Sequence, residues 1–253
     1  MIIFDDKVIL LYKSGRKGNY RIIFIDGVIE MINEIKYGRI HWKIDNKEKY
    51  KEFETIAEAY DWGMKHYSSW TRRYKSIMGL AEKVLKDRLC TSPLEDYCGN
   101  LYRQINEFLR YGTDDECNTY RELAHVLSFV LCSAPKIPCD LILYRLVNDE
   151  FIKHLIENNK KKREEPMQEK GFMSTSLTKN IVYAGEAYAK ENNLLKIFVP
   201  KETMGVYVNG VTKRSEEEML LVPNRYLALV TYPYKDKETG KTIYECRLIN
   251  YID

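Results

Sequence analysis

The spacing of apolar positions changes along the chain. Up to about residue 50 they come in short runs rich in Val, Ile and Tyr, at 8–12, 20–25 and 39–44. Ser14-Gly15-Arg16-Lys17-Gly18-Asn19, Asp26-Gly27 and Tyr37-Gly38 separate them. Runs of this length bounded by turn-forming residues predict short strands and a small β-rich unit. Between 50 and 74 the spacing lengthens: Phe53, Ile56, Ala57, Tyr60 and Met64 recur near i, i+3, i+4 and i+7, and Tyr67, Trp70 and Tyr74 follow. That is one face of a helix. We place a boundary there, with residues 1–52 as an N-terminal unit of unassigned role and 53–253 as the main domain.

Farther on, Leu101, Ile105, Phe108 and Leu109 predict an amphipathic helix closed by Tyr111-Gly112, and a second helix is expected over 117–132. Strands are predicted at 141–146, 194–199, 218–222, 226–232 and 242–249, and 158–169, with Lys160-Lys161-Lys162-Arg163, reads as a solvated loop. Helices and strands segregated in this way indicate an α+β domain. Composition agrees with an ordinary globular core: 253 residues, 45% hydrophobic and 30% charged. The formal net charge of +3 is too small to argue for a nucleic-acid or membrane partner.

Six cysteines occur without a Cys-x-x-Cys pair or a neighbouring histidine cluster, so no metal is implied and reduced, mostly buried thiols are expected. Met1-Ile2-Ile3-Phe4-Asp5-Asp6 lacks the basic and apolar regions of a signal peptide. No stretch reaches the roughly 18 apolar residues of a membrane span. The expectation is a protein kept in the cytoplasm or delivered into a target cell by a dedicated machine.

Three segments carry candidate chemistry in order: Tyr144-Arg145 ending a strand, Gly171-Phe172-Met173-Ser174-Thr175-Ser176-Leu177, and Ser215-Glu216-Glu217-Glu218-Met219-Leu220-Leu221. Singly, each has a plain structural explanation: an ion-paired arginine, a hydroxyl cap, a solvated acidic face. In sequence they resemble the arginine, serine-threonine-serine and glutamate-x-glutamate pattern of the mono-ADP-ribosyltransferase exoenzymes, particularly the enzymatic components of clostridial binary toxins. Upstream, Tyr97-Cys98-Gly99-Asn100-Leu101-Tyr102-Arg103-Gln104-Ile105-Asn106 is similar to that family's tyrosine-threonine-glycine helix, with Cys98 in place of threonine. Gly205-Val206-Tyr207-Val208 extends the similarity, which covers roughly residues 55–253.

The resemblance implies an ADP-ribosyltransferase fold, two antiparallel sheets around an NAD cleft with flanking helices, and NAD as a consumed substrate. Expelling nicotinamide leaves positive charge on the ribose, as in glycoside cleavage, so a fixed carboxylate is the natural stabiliser. Glu218 is the implied catalytic glutamate. Glu216, two residues earlier, is implied to orient or deprotonate the acceptor. In an extended chain i and i+2 lie on one side, which would put Glu216 and Glu218 in one pocket and turn Glu217 away. A glutamate at the earlier position resembles the arginine-modifying members. Arg145 is implied to meet the NAD diphosphate or ribose, Ser174 to hold Glu218, and Thr175 and Ser176 to brace the strand. Tyr97, Tyr102 and Asn106 fall on cofactor-contacting positions, with 102 and 106 on one helix face.

The chain departs from the family at Leu146, where a second arginine or a glycine is usual, and at Gly171, where an asparagine is common. Tyr183 and Tyr188 both qualify as the aromatic that stacks on nicotinamide. Other readings of the same site are an NAD glycohydrolase, transfer to nucleic acid or another acceptor, and a non-enzymatic binding protein on a degenerate fold.

Overall fold

The computed structural model describes residues 2–4, 7–14, 19–25, 28–84, 92–161, 165–185, 190–212 and 216–250. Strands β1 (Ile2–Phe4), β2 (Lys7–Ser14) and β3 (Asn19–Ile25) form a three-stranded antiparallel sheet. Helix α1 (Val28–Tyr37) follows. It starts just after Asp26-Gly27, which sequence reading takes as a turn between strands. The strand predicted at 39–44 does not form. Instead Ile40 packs on the main core, and Trp42 and Ile44 pack on a second apolar cluster. These side chains pack on the two apolar clusters that flank β4 without joining the sheet, so apolar composition reports burial there and not pairing. Asn159 Nδ2 ties this segment down, donating to Tyr37 O at 2.8 Å and Arg39 O at 3.1 Å.

Helix α2 (Ile56–Val84) buries Ala59, Trp62, Tyr67, Trp70, Thr71 and Tyr74, the stripe expected of a helix packed along one side. A nearly continuous helical stretch comes next: α3 (Pro93–Asp96), a π-type turn over Tyr97–Leu101, and α4 (Tyr102–Tyr111) ending at Gly112. Helix α5 (Thr119–Cys132) buries Leu123, Ala124, Leu127, Val130 and Leu131 at helical spacing.

Nine further strands make one hydrogen-bonded sheet. They are β4 (Leu141–Val147), β5 (Met167–Glu169), β6 (Met173–Ser176), β7 (Asn193–Val199), β8 (Gly205–Tyr207), β9 (Glu218–Leu221), β10 (Arg225–Leu229), β11 (Tyr234–Lys235) and β12 (Thr242–Ile249). The order is β5-β10-β12-β7-β4-β6-β9-β8, with β11 beside β12. All pairs are antiparallel except β12 with β7. The part ending at β4 and the part beginning at β6 meet at a single residue pair, Tyr144 with Ser176. The two-sheet expectation thus appears as two parts of a sheet joined at one point.

Strand β4 shows why the core sits on both faces. Leu141, Leu143 and Val147 enter the large cluster under the helices, while Ile142 and Tyr144 enter the second cluster with Tyr50, Phe198 and Val230. A strand covered twice reads as a continuous apolar run, as Leu141-Ile142-Leu143-Tyr144 does. The predicted loop at 158–169 is shorter than expected: helix α6 (Asp149–Asn159) and β5 occupy its ends, and 162–164 lie outside the described residues. Thiol burial is also lower than expected. Cys98 and Cys246 are buried, Cys117 and Cys132 are exposed, and Cys139 is intermediate. Among the described residues no helix is long and apolar enough to cross a membrane, and no cluster of three or more His, Cys, Asp or Glu could hold a metal.

Candidate active site

The site forms where the two parts of the sheet meet. Across β4, β6 and β9, Tyr144 pairs with Ser176 and Ser176 with Glu218. The register therefore carries the strand arginine, the hydroxyl triplet and the glutamate strand to one place.

The arginine side is held by internal clamps. Asn106 is buried, and its amide grips a peptide: Oδ1 accepts from Phe172 N at 2.8 Å, while Nδ2 donates to Tyr97 Oη at 3.0 Å and lies 3.4 Å from Phe172 O. Tyr97 is buried beside it, its ring edge-on to Phe172. One turn away, Arg110 forms a two-pronged pair with buried Glu169, Nε to Oε1 at 2.9 Å and Nη2 to Oε2 at 3.1 Å. Glu169 Oε1 also accepts from Gly171 N at 2.7 Å. Burial opposes the Arg110 charge, but Glu169 outweighs it and lifts the guanidinium pKa.

This explains the glycine at 171. A Cβ there would lie 2.8 Å from Asn106 Oδ1 and 3.1 Å from Glu169 Oε1, so only glycine lets both clamps close on one turn. Arg145 lies within the electrostatic reach of this group. Burial lowers its pKa, with Glu169, Tyr97 and Glu218 acting in the opposite direction. Its guanidinium stands 5.8 Å from the Phe151 ring, and Nη1 is buried with no hydrogen-bond partner among the described residues. A buried cationic donor left open in this way is suited to an incoming anion.

The hydroxyl triplet divides its work along β6. Ser174 Oγ donates to Glu218 Oε1 at 2.5 Å, Thr175 Oγ1 to Met219 O at 2.7 Å, and Ser176 Oγ to Glu216 O at 2.7 Å. Ser176 Oγ also accepts from Thr178 N at 3.1 Å. One hydroxyl thus holds the Glu218 carboxylate, and two hold the backbone carbonyls of Met219 and Glu216 on either side of it.

Around the three glutamates the structure departs from the alternation predicted for an extended chain. Strand β9 begins only at Glu218, and Glu217 has φ 47°, the left-handed region, which costs a non-glycine residue about 1–2 kcal/mol. Glu217 does not turn out to solvent. It is 3% exposed, its carboxylate accepting from Tyr207 Oη and, at 3.1 Å, from Asn209 Nδ2. Burial raises its pKa above the ordinary carboxylate value, and the two hydrogen bonds only partly offset that. Glu216 is half-buried before this kink. The same-side geometry of Glu216 and Glu218 therefore does not follow from simple strand alternation.

Tyr102 is 42% exposed at the start of α4, its hydroxyl accepting from Arg103 Nε at 2.9 Å. The face it shares with Asn106 runs from solvent into the core, so the two residues have different surroundings. Tyr183 is exposed at the end of a 3-10 turn (Lys179–Tyr183), and Tyr188 lies outside the described residues. Sequence reasoning missed Glu169, Glu217 and Asn209. The first two looked like members of charged runs, and nothing in the spacing marks them as buried.

A model of one protein family, ADP-ribosyltransferase exoenzyme, matches residues 59–243. Among solved structures the chain is similar to the ADP-ribosylating toxin BECa of a binary enterotoxin of C. perfringens, determined with NADH, at 21% identity and TM-score 0.60, over 79% of this chain and 50% of that one. It is also similar to the C3 exoenzyme of Clostridium limosum, at 19% identity and TM-score 0.57 over 80% and 98% of the two chains. C3stau2 of S. aureus, determined with NAD, matches at 19% identity and TM-score 0.57 over 80% and 100%. These likenesses show the fold, and the chain spans about half the length of BECa. No curated protein is matched.

Proposed function

The chain is a member of the ADP-ribosyltransferase exoenzyme family, and from that premise we propose that it cleaves NAD and transfers the ADP-ribose to an arginine side chain of a protein, in a toxin or effector role. NAD supplies a ribose–nicotinamide bond whose breaking places positive charge on the ribose. The observation that carries the reading is the Glu218 carboxylate held by Ser174 at 2.5 Å, in the electrostatic field of an arginine with an open buried donor.

Each residue then has a task. Arg145 binds diphosphate oxygens through its open Nη1. Glu218, its rotamer held by Ser174, stabilises the developing cation. Glu216 accepts the proton that the guanidinium must lose to become a nucleophile, since a guanidinium is strongly basic and stays charged in water. Tyr97 and Asn106 support the wall by gripping Phe172, and Tyr102 is free to meet the cofactor from the rim. Residues 53–253 make up the catalytic unit, and the segment around Tyr50 completes the cover of its sheet.

The test is incubation of wild type and Glu218→Gln with labelled NAD and a cell lysate, reading both nicotinamide release and label on protein. Wild type is expected to label a discrete protein on an arginine, located by mass spectrometry. Glu218→Gln should lose at least roughly 100-fold in both signals. Nicotinamide release with no labelling in any lysate would replace transfer by hydrolysis.

A further inference from the structure

Glu217 occupies the place where sequence alternation predicts a solvent-facing residue, yet it is among the most enclosed carboxylates of the described residues, at 3% exposure. Its contacts reach both ends of the loop that carries Glu216. On the entering side, β8 ends at Tyr207, whose hydroxyl donates to the Glu217 carboxylate. Asn209, two residues later, reaches back twice: Nδ2 to Glu217 Oε1 at 3.1 Å, and Oδ1 accepting from Glu218 N at 3.0 Å. The backbone closes the same neck through Val208 N to Glu218 O at 3.0 Å, and Leu177 N caps Glu217 O at 2.9 Å.

The entering strand is itself fixed. A Cβ on Gly63 of α2 would fall 2.5 Å from the Tyr207 ring, so helix and tyrosine touch as closely as a glycine permits. Lys75 Nζ of the same helix donates to Gly210 O at 2.7 Å, at the start of the short helix α7 (Asn209–Thr212). Backbone bonds pin Glu216 O to Ser176 Oγ and Glu217 O to Leu177 N, and the buried carboxylate adds the side-chain anchor that holds φ 47° in a non-glycine residue against the extended conformation that would rotate Glu216 relative to Glu218.

We propose that Glu217 is a positioning residue for the transfer step: clasped by Tyr207 and Asn209, it holds the loop bearing Glu216 in register with Glu218, and so sets how ADP-ribose divides between protein acceptor and water. The inference rests on the function proposed above. In either outcome the ribose–nitrogen bond breaks and nicotinamide leaves with the electron pair. In transfer, a guanidinium nitrogen forms the new bond to the ribose carbon and its proton passes to Glu216. In hydrolysis, water forms that bond and its proton passes to the solvent. Cleavage needs the Glu218 carboxylate, which Ser174 holds from β6 without a bond to the Glu217 carboxylate. Transfer also needs Glu216, whose carbonyl Ser176 holds and whose direction relative to Glu218 is set across the clasped residue Glu217.

The experiment measures nicotinamide release and protein labelling for wild type, Glu217→Ala, Glu217→Gln and Tyr207→Phe with labelled NAD and the same lysate, each expressed per folded enzyme. Glu217→Ala is expected to lower the ratio of labelling to nicotinamide release at least about tenfold. Glu217→Gln, which keeps an acceptor for Asn209 and a partner for Tyr207, should restore the ratio to within about threefold of wild type. Tyr207→Phe, which retains the Asn209 bond and serves if Glu217→Ala does not fold, should fall between. A ratio unchanged in both Glu217→Ala and Tyr207→Phe, with both signals falling together, would overturn the clasp and leave the enzyme reading intact. A Glu217→Gln ratio as low as that of alanine would also overturn it. Wild type that releases no nicotinamide would overturn the enzyme reading itself.

Discussion

Two buried carboxylates flank the site and are held in opposite ways. Glu169, on the arginine side, meets a guanidinium with both oxygens and a backbone amide besides. Glu217, on the glutamate loop, meets neutral donors among the described residues, a tyrosine hydroxyl and an asparagine amide. Both are under 5% exposed, so burial alone does not distinguish them. The partner's charge does. Glu169 is locked by an ion pair into a wall that has only to hold its shape. Glu217 sits in a weaker, neutral clasp at a backbone kink, and its pKa is pushed up by burial. The wall suits binding, which wants a fixed surface, and the loop suits a choice between acceptors.

The sharpest way to break the contrast is Arg110→Ala. It leaves Glu169 buried without its cation, and removing one partner of a buried pair costs about 3 kcal/mol or more. For a chain of this size the melting temperature should drop by roughly 6–12 °C, measured by calorimetry. A drop no larger than that of Glu217→Ala would remove the distinction between charged and neutral clasps. Next in size is Gly171→Ala, which drives a methyl against Asn106 Oδ1 and loosens its bond to Phe172 N. About 2 kcal/mol is expected, with a raised KM for NAD as the wall shifts.

A smaller effect sharpens the comparison through pH. Because the folded-state pKa of Glu217 is raised above 4.5, its contribution to stability is full at acid pH and is lost as pH rises through the raised value. Glutamine does not titrate. The melting temperature of Glu217→Gln minus that of wild type should therefore grow more positive between about pH 4 and pH 7. A flat difference across that range would mean that the folded protein tolerates the charge as well as water does. The smallest effect is expected at Tyr102→Phe, an exposed rim position, which should change stability by less than about 0.5 kcal/mol. Any effect there should appear in KM for NAD.

The candidate site was proposed from the sequence before any coordinates. Arg145, Ser174, Thr175, Ser176, Glu216 and Glu218 stand out because their order resembles that of a known family, and the strands at Arg145 and Glu218 announce themselves by apolar runs, whereas β6 (Met173–Ser176) does not. The helix at Tyr102–Tyr111 and the strands Leu141–Val147 and Thr242–Ile249 follow from periodicity almost to the residue. The segment at 39–44 misled because apolar side chains that cover a sheet look like those that pair within one.

What the sequence determined by itself was local: which residues lie on helices and strands, and which side chains carry acid, hydroxyl and guanidinium chemistry. Those follow from spacing and residue type, which are properties of short stretches of chain. Only the tertiary structure decided that Glu217 turns inward, that Asn106 grips Phe172 sixty-six positions away, and that Gly171 must lack a side chain. A buried polar group is stable only where partners from distant segments satisfy it, and no short window of sequence contains both ends of such a contact.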